Sequence, residues 1–98
     1  MTRHLVVSRE ARNDVAEAVA WFRNRSPQLP DRFRTALESV YQSIVEHPEM
    51  HPVVYRRFRR ALLHTFPYSV FYVIDPAKIL IIGVVHQARY ESTWKRRT

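Results

Sequence analysis

The sequence lacks cysteine, and it contains a single glycine, Gly83, among its 98 residues. Without cysteine the chain can form neither disulfides nor thiolate sites, and a reducing compartment is its natural surroundings. One glycine cannot supply a glycine-rich nucleotide-binding loop or a nucleophile elbow. The apolar run 79–85 is far shorter than the ~20 residues that span a bilayer, and Arg3 and His4 precede too few apolar residues for a signal peptide. These absences predict a cytoplasmic protein without a membrane partner.

Acidic residues are scarce in the second half of the chain. Residues 1–49 carry seven arginines and seven acids, whereas 50–98 carry nine basic residues against Asp75 and Glu91, so the whole net charge of +7 lies there. All the basic residues except Lys78 and Lys95 are arginine, which binds phosphate or carboxylate with two parallel hydrogen bonds and loses its hydration more readily than lysine. The segregation predicts a surface for an anionic partner, either nucleic acid or an acidic protein segment.

Hydrophobic periodicity predicts one α+β domain over residues 1–98, in the order β-α-α-β-β-β followed by a short basic tail. The short connection at 26–30 makes the two helices an antiparallel αα-hairpin. We expect an antiparallel β-sheet packed against this hairpin, with the other sheet face left open. Residues 53–63 are interpreted as a single strand, and Gly83 indicates a bulge or a close backbone approach within the last strand.

The densest cluster of charge is the segment 55–60, which holds four arginines around Phe58. Because alternate side chains of a strand point to opposite faces, Phe58 shares a face with Arg60, and Arg57 shares the other with Arg59. We expect Phe58 to point into the core, which leaves Arg57 and Arg59 more exposed. The alternative is an edge strand whose charges only discourage pairing with other chains. The number of guanidiniums favours a binding surface on which the arginines of the second half converge.

A second candidate lies at the end of the last predicted strand. His86, Arg89 and Tyr90 could supply a proton-transfer group, a phosphate-binding cation and a stacking ring. The alternative, favoured for each residue taken singly, is that His86 is a strand-end residue hydrogen-bonded to backbone and that Trp94 is a packing anchor. The other histidines lack the spacing of metal ligands, so no metal site and no cofactor are predicted.

Several of these segments together resemble the RelE/ParE toxin superfamily, the toxin halves of type II toxin–antitoxin modules. The resemblance covers essentially the whole chain and includes the two amphipathic helices, the His-Pro stop and the arginine-rich strand. Its most specific parts are Phe66-Pro67-Tyr68-x-x-Phe71-Tyr72 and His86-x-x-Arg89-x4-Trp94-x-x-Arg97.

The resemblance implies neutralisation by a cognate antitoxin whose acidic or amphipathic C-terminal segment wraps across the toxin. RelE-like members are ribosome-dependent mRNA endonucleases, whereas ParE-like members are associated with poisoning DNA gyrase. RelE-like sites that depend on lysine have no counterpart here, because 53–63 contains no lysine. Guanidinium is also a poor base, since it stays protonated, so the ParE-like branch without catalysis is favoured. Two alternatives stay open: an mRNA endonuclease acting on the ribosome, and a non-toxic nucleic-acid-binding module.

These hypotheses assign residues as follows. The predicted residues for binding a target or antitoxin are Arg56, Arg57, Arg59, Arg60, Arg89, Trp94, Lys95, Arg96 and Arg97. If the protein is a metal-independent ribonuclease, the candidate catalytic residues are Arg57, Arg59, His86, Arg89 and Tyr90.

Overall fold

The computed structural model of the chain describes residues 3–89. Two helices and five strands follow one another in the order β1 (His4–Val7), α1 (Arg9–Arg23), α2 (Leu29–Glu46), β2 (Val53–Tyr55), β3 (Phe58–Leu62), β4 (Tyr68–Ile74) and β5 (Lys78–His86), and a 3-10 turn occupies Gln87–Arg89. The predicted α+β class, with a helical hairpin packed on a sheet, is confirmed. The predicted basic tail, 90–98, lies outside the described residues.

Local sequence signals fix where the helices begin. The hydroxyl of Ser8 accepts a hydrogen bond from the backbone N–H of Ala11 (3.1 Å) and caps α1. Pro30 lies in the first turn of α2, where its missing N–H has no partner to lose. Each helix then buries one apolar stripe against the sheet, so the hairpin covers one face of the sheet only.

The sheet is mixed, with the strand order β1-β5-β4-β3-β2. β1 pairs in parallel with β5 from His4↔Lys78 to Val7↔Ile81, and the other neighbours are antiparallel. A parallel pair needs a long crossover connection, and here the helical hairpin lies within it. The expected antiparallel sheet therefore holds for four strands, while the first strand departs from it.

The predicted single strand over 53–63 is wrong, because the chain reverses at Arg56 and Arg57. β2 and β3 form a hairpin in which Tyr55 pairs with Phe58, and Arg56 adopts a φ of 52° in the left-handed region. That conformation costs a non-glycine residue roughly 1–2 kcal/mol. The glycine or asparagine that usually marks a two-residue turn is absent here, so no turn residue signals the reversal.

The bulge expected at Gly83 is confirmed. The register of β4 and β5 shifts between Phe71↔Gly83 and Tyr72↔Ile81, so Ile82 is the extra residue of β5. The shift lets Ile81 and Val84 pack toward the helices, while Ile82 joins the opposite face.

The core consists of two apolar layers, one on each face of the sheet. The larger layer lies between the sheet and the helices and includes Phe33, Ile44, Val70, Tyr72 and Ile81. On the face turned away from the helices, which we call the far face, a smaller cluster forms. This far-face cluster comprises buried Phe71, Ile82 and Val85, with Val54, Tyr55, Phe58 and Leu80 half-buried against them. No helix within residues 3–89 is long and apolar enough to cross a membrane.

Candidate interaction surface

Arg56 and Arg57 form the tip of the β2–β3 hairpin, and both side chains are exposed. The guanidinium carbon of Arg56 lies 5.2 Å from the ring centroid of Tyr55, within cation–π range. The charge of Arg57 reaches Asp75, whose pKa is lowered mainly by the backbone N–H groups of Lys78 and Ala77 and to a smaller extent by the lysine and arginine charges. The hairpin tip therefore presents two guanidiniums to solvent.

Arg59 has a different environment. Its position opposite Tyr72 places it on the helix side of the sheet. There its guanidinium donates hydrogen bonds to the backbone carbonyls of His51 (2.7 Å) and Glu49 (3.0 Å). The hydroxyl of Tyr72 donates to the carbonyl of Pro48 (2.6 Å) beside them. Arg59 is half-buried and fastens the loop after α2 to the sheet, so the expectation that it is one of the more exposed arginines is wrong.

The same loop contains a perturbed histidine. Burial and then the neighbouring charge of Arg59 lower the pKa of His51, whose Nε2 lies 3.2 Å from the Ser43 hydroxyl. Burial also raises the pKa of Tyr72 to about 12, against an opposing effect of Arg59. These groups form a neutral, hydrogen-bonded network around one guanidinium.

Arg60 lies on the far face, because it pairs with Phe71 across β3 and β4. Phe58, two residues earlier, packs in the same far-face cluster. The predicted alternation is confirmed within β3, where Phe58 and Arg60 share a face and Arg59 opposes them. Arg57, predicted to share the face of Arg59, lies instead in the turn. The predicted side is wrong: Phe58 turns away from the helices, because an apolar cluster on that face receives it.

His86 ends β5 at the opposite end of the sheet from the hairpin tip. Its Nδ1 accepts a hydrogen bond from the backbone N–H of Ala88 (3.0 Å), and its ring meets Tyr68 edge-on at 5.2 Å. The interpretation of His86 as a strand-end residue bonded to backbone is confirmed. With Nδ1 accepting, a neutral His86 carries its proton on Nε2.

The two predicted groups of candidate residues lie far apart. Arg59 pairs with Tyr72 and His86 pairs with Tyr68, so four residues of β4, about 13 Å, separate the two levels. β3 and β5 also lie on either side of β4, about 10 Å from each other. The structure therefore does not bring Arg57 and Arg59 together with His86, and the arginines of 56–60 divide among the hairpin tip, the helix side and the far face.

The remaining predicted residues are described incompletely or lie beyond the described range. The backbone of Arg89 belongs to the 3-10 turn after β5. Tyr90, Trp94, Lys95, Arg96 and Arg97 lie outside residues 3–89. In the described part of the chain, no three His, Asp or Glu side chains are placed to hold a metal ion.

Sequence reasoning missed the far-face cluster. A signal was present, because Ile79, Leu80, Ile81 and Ile82 are all apolar and a strand of this kind is covered on both sides. Val6 and Leu62 extend the apolar surface with exposed fractions of 40% and 51%, and their pairing places both on the far face. The far face is thus apolar in its middle and flanked by the arginines of the hairpin and of β3.

Comparisons with known proteins agree with this architecture. A solved structure titled "Chromosomal ParDE TA system from P. aeruginosa" is similar in fold, with a TM-score of 0.66 and 14% sequence identity over 86% of this chain and 95% of that one. No curated protein sequence matches the chain. The family model described as "ParE toxin of type II toxin-antitoxin system, parDE" matches residues 5–90. This match spans nearly the whole sequence, and the chain therefore belongs to the ParE toxin family of type II toxin–antitoxin systems.

Proposed function

We propose that this ParE-type toxin acts in the cytoplasm by binding DNA gyrase, and that a cognate antitoxin neutralises it by covering the far face and the hairpin tip. The observation that carries the proposal is the far-face cluster flanked by guanidiniums. Apolar side chains in the middle with arginine at the rim form the pattern of a protein-binding surface. A catalytic pocket would instead gather proton-transfer groups around one point.

The shape of the surface suits an amphipathic segment of the antitoxin. Leu80, Phe58 and exposed Leu62 offer apolar contacts along the far face. Arg60 on the same face and Arg56 and Arg57 at the hairpin tip suit acidic side chains beside those contacts. A segment that alternates apolar and acidic residues would satisfy both, in the manner of an amphipathic element laid in a hydrophobic groove.

Charge gives the same surface a kinetic role. The net charge of +7 and the exposed hairpin arginines attract an acidic partner before contact, which raises the association rate at low ionic strength. Arginine suits this task because it stays charged and forms two-pronged bonds to carboxylates. Capture of the antitoxin should therefore be faster in low salt than in high salt.

Gyrase is the target that membership of the family favours. The endonuclease alternative gains nothing from the placement of Arg57 and Arg59 relative to His86. Cleavage of RNA without a metal ion needs proton transfer and a stabilising cation at one phosphate. Among the described residues these two roles fall at opposite ends of the sheet. The proposed toxin thus acts by binding.

The experiment is an assay of gyrase supercoiling by the purified toxin, run beside a translation system with programmed ribosomes. We expect inhibition of supercoiling, no mRNA cleavage, and relief of inhibition by the cognate antitoxin. The variant Arg56→Gln/Arg57→Gln should weaken antitoxin binding about tenfold, since charge-assisted contacts are lost. Its matched control is Arg9→Gln/Arg32→Gln, which removes two exposed arginines from the helices.

Specific mRNA cleavage together with unaffected gyrase would overturn the proposed target. Equal loss of antitoxin binding in the test and control variants would show that net charge, and not the hairpin tip, governs association. If overproduction leaves growth untouched, the proposed toxicity itself fails.

A further inference from the structure

A groove of about 390 Å³ runs between α1 and the end of β5, away from the hairpin tip. Its lining includes the carboxylates Asp14 and Glu17, the rings of Trp21, Tyr68 and His86, and apolar Val84. The arginine hairpin contributes nothing to it, and of the far-face cluster only Val85 lines it. It is therefore a second surface, and its chemistry differs from that of the first.

The spacing of α1 builds one wall of this groove. Asp14, Glu17 and Trp21 follow each other at intervals of three and four residues, so their side chains lie along one stripe of the helix. Buried Ala18 belongs to the same wall, and its small side chain leaves room between the larger neighbours. Trp21 keeps 51% of its surface exposed, although its ring contacts Phe22 edge-on at 5.3 Å.

The groove carries negative charge on a strongly basic protein. The Oδ2 atom of Asp14 accepts a hydrogen bond from the backbone N–H of Val84 (2.9 Å), which fixes this carboxylate against β5. Glu17, one helical turn later, is exposed. An acidic antitoxin segment is repelled here, whereas a cationic group is attracted.

The ring of Trp21 already accepts a guanidinium. The guanidinium carbon of Arg25 lies 4.0 Å from the centroid of a Trp21 ring, a close cation–π contact. Together with the neighbouring carboxylates, the groove combines the two interactions by which proteins hold an arginine side chain.

We propose that this groove binds an arginine side chain of the antitoxin. The inference rests on the proposed function, since it assigns a second contact to the same partner. The methylene stem lies on Ala18 and Val84, the guanidinium stacks on an aromatic ring of the groove, and the carboxylate of Glu17 accepts its hydrogen bonds. An antitoxin that is acidic where it meets the hairpin tip thus carries a basic residue where it meets α1, and this second contact discriminates against purely acidic competitors.

The first test uses the full-length toxin alone and n-butylguanidinium as the probe, with n-butylurea as its neutral isostere. Titration is followed by NMR at the Trp21 indole N–H and the Val84 backbone N–H. We expect saturable shifts with n-butylguanidinium, and binding about fivefold weaker with n-butylurea or in Glu17→Gln. Glu38→Gln, which removes an exposed carboxylate from α2, is the matched control and should bind like the wild type.

Equal binding of the charged and neutral probes would show an apolar groove without cation selectivity and would overturn the proposal. So would shifts confined to residues outside the groove. The variant Lys95→Gln/Arg96→Gln/Arg97→Gln tests a different occupant: if it binds the probe more tightly, the groove belongs to the chain's own basic residues and the proposal fails.

The second test measures the affinity of the cognate antitoxin for the same variants. Glu17→Gln should weaken antitoxin binding about fivefold, and Glu38→Gln should not. Unchanged antitoxin binding in Glu17→Gln, with loss of gyrase inhibition instead, would assign the groove to the target and overturn the inference. The proposed function is tested separately, because the gyrase assay uses the wild-type toxin and its outcome does not depend on the Glu17 variant.

Discussion

Arg57 and Arg59 are two residues apart, and the sequence gives no reason to treat them differently, yet their environments in the fold differ. The guanidinium of Arg57 is exposed at the hairpin tip, while that of Arg59 donates to the carbonyls of Glu49 and His51 behind the sheet. The hairpin tip is a surface that a partner can reach, whereas the loop after α2 is held by internal bonds. The difference shows that the fold decides whether a cation is left exposed to solvent or bonded to the protein's own backbone.

The largest expected effect is the loss of stability when a core side chain is truncated, and it is the reference for the arginine variants. Ile81 is fully buried between the sheet and the helices, so Ile81→Ala should lower the free energy of unfolding by about 2–5 kcal/mol. Urea denaturation measures this loss. A loss below ~1 kcal/mol, as expected for an exposed arginine, would mean that the layer between the sheet and the helices relaxes to fill the cavity.

The comparison itself is tested by single alanine variants of the two arginines. Arg59→Ala removes two charge-assisted hydrogen bonds and should lower the free energy of unfolding by about 1–3 kcal/mol. Arg57→Ala should lower it by less than ~1 kcal/mol, because the side chain is exposed. Measured in the same urea series, equal losses in the two variants would contradict the assignment of separate roles.

The pH dependence sharpens the role of Arg59. The pKa of His51 is lowered in the folded state, first by burial and then by Arg59. A lowered pKa means that the unfolded chain binds the proton more readily, so this contribution is complete above the unfolded pKa of about 6.5. It declines as the pH falls from there through the folded pKa.

NMR titration of the His51 ring follows this behaviour. Arg59→Ala should raise the pKa of His51 toward its ordinary value, although burial still holds it below. In the same way, His51→Gln should reduce the stability that is lost when the pH falls from about 7.5 to about 5.5, a range that includes the ordinary histidine pKa. A His51 pKa that is unchanged in Arg59→Ala would show that the guanidinium charge does not reach the ring.

The smallest expected effect concerns the strained turn. Arg56→Gly relieves the left-handed backbone conformation but increases the freedom of the unfolded chain, so a net gain of about 0.5 kcal/mol is expected. Antitoxin binding should weaken at the same time. Thr65, whose φ is 65°, supplies the control: Thr65→Gly should gain stability similarly and leave binding unchanged. Parallel behaviour of the two variants in binding would remove Arg56 from the interface.

The sequence predicted much of the fold and less of the surface. Ser8, Pro30 and the apolar stripes mark the helices, and Gly83 marks the bulge, because each of these signals is local. The reversal at Arg56 left no such signal, since an arginine takes the position that a glycine or asparagine normally marks. The side of the sheet on which Phe58 lies depends on a cluster assembled from β2, β4 and β5. Alternation alone tells which residues share a face, but not which face of the sheet that is.

The candidate surface shows the same limit. Arginine enrichment predicted an anion-binding protein, but the carbonyls that receive the Arg59 guanidinium belong to a loop whose path is set by α2. Likewise, the groove beside α1 joins Asp14 and Trp21 to the end of β5, about seventy residues later in the chain. Contacts of this separation come from the topology, and spacing within one element does not reveal them.

The parallel pairing of His4 with Lys78 has a consequence for the order in which the molecule folds. β1 has its partner in β5, which comes much later in the chain, and pairings between such distant segments form slowly. Ile82 and Val85, which help build the far face, belong to that same late strand. A chain in which β5 has not yet paired has an unfinished sheet, so the far face, which we propose as the interaction surface, is completed late in folding.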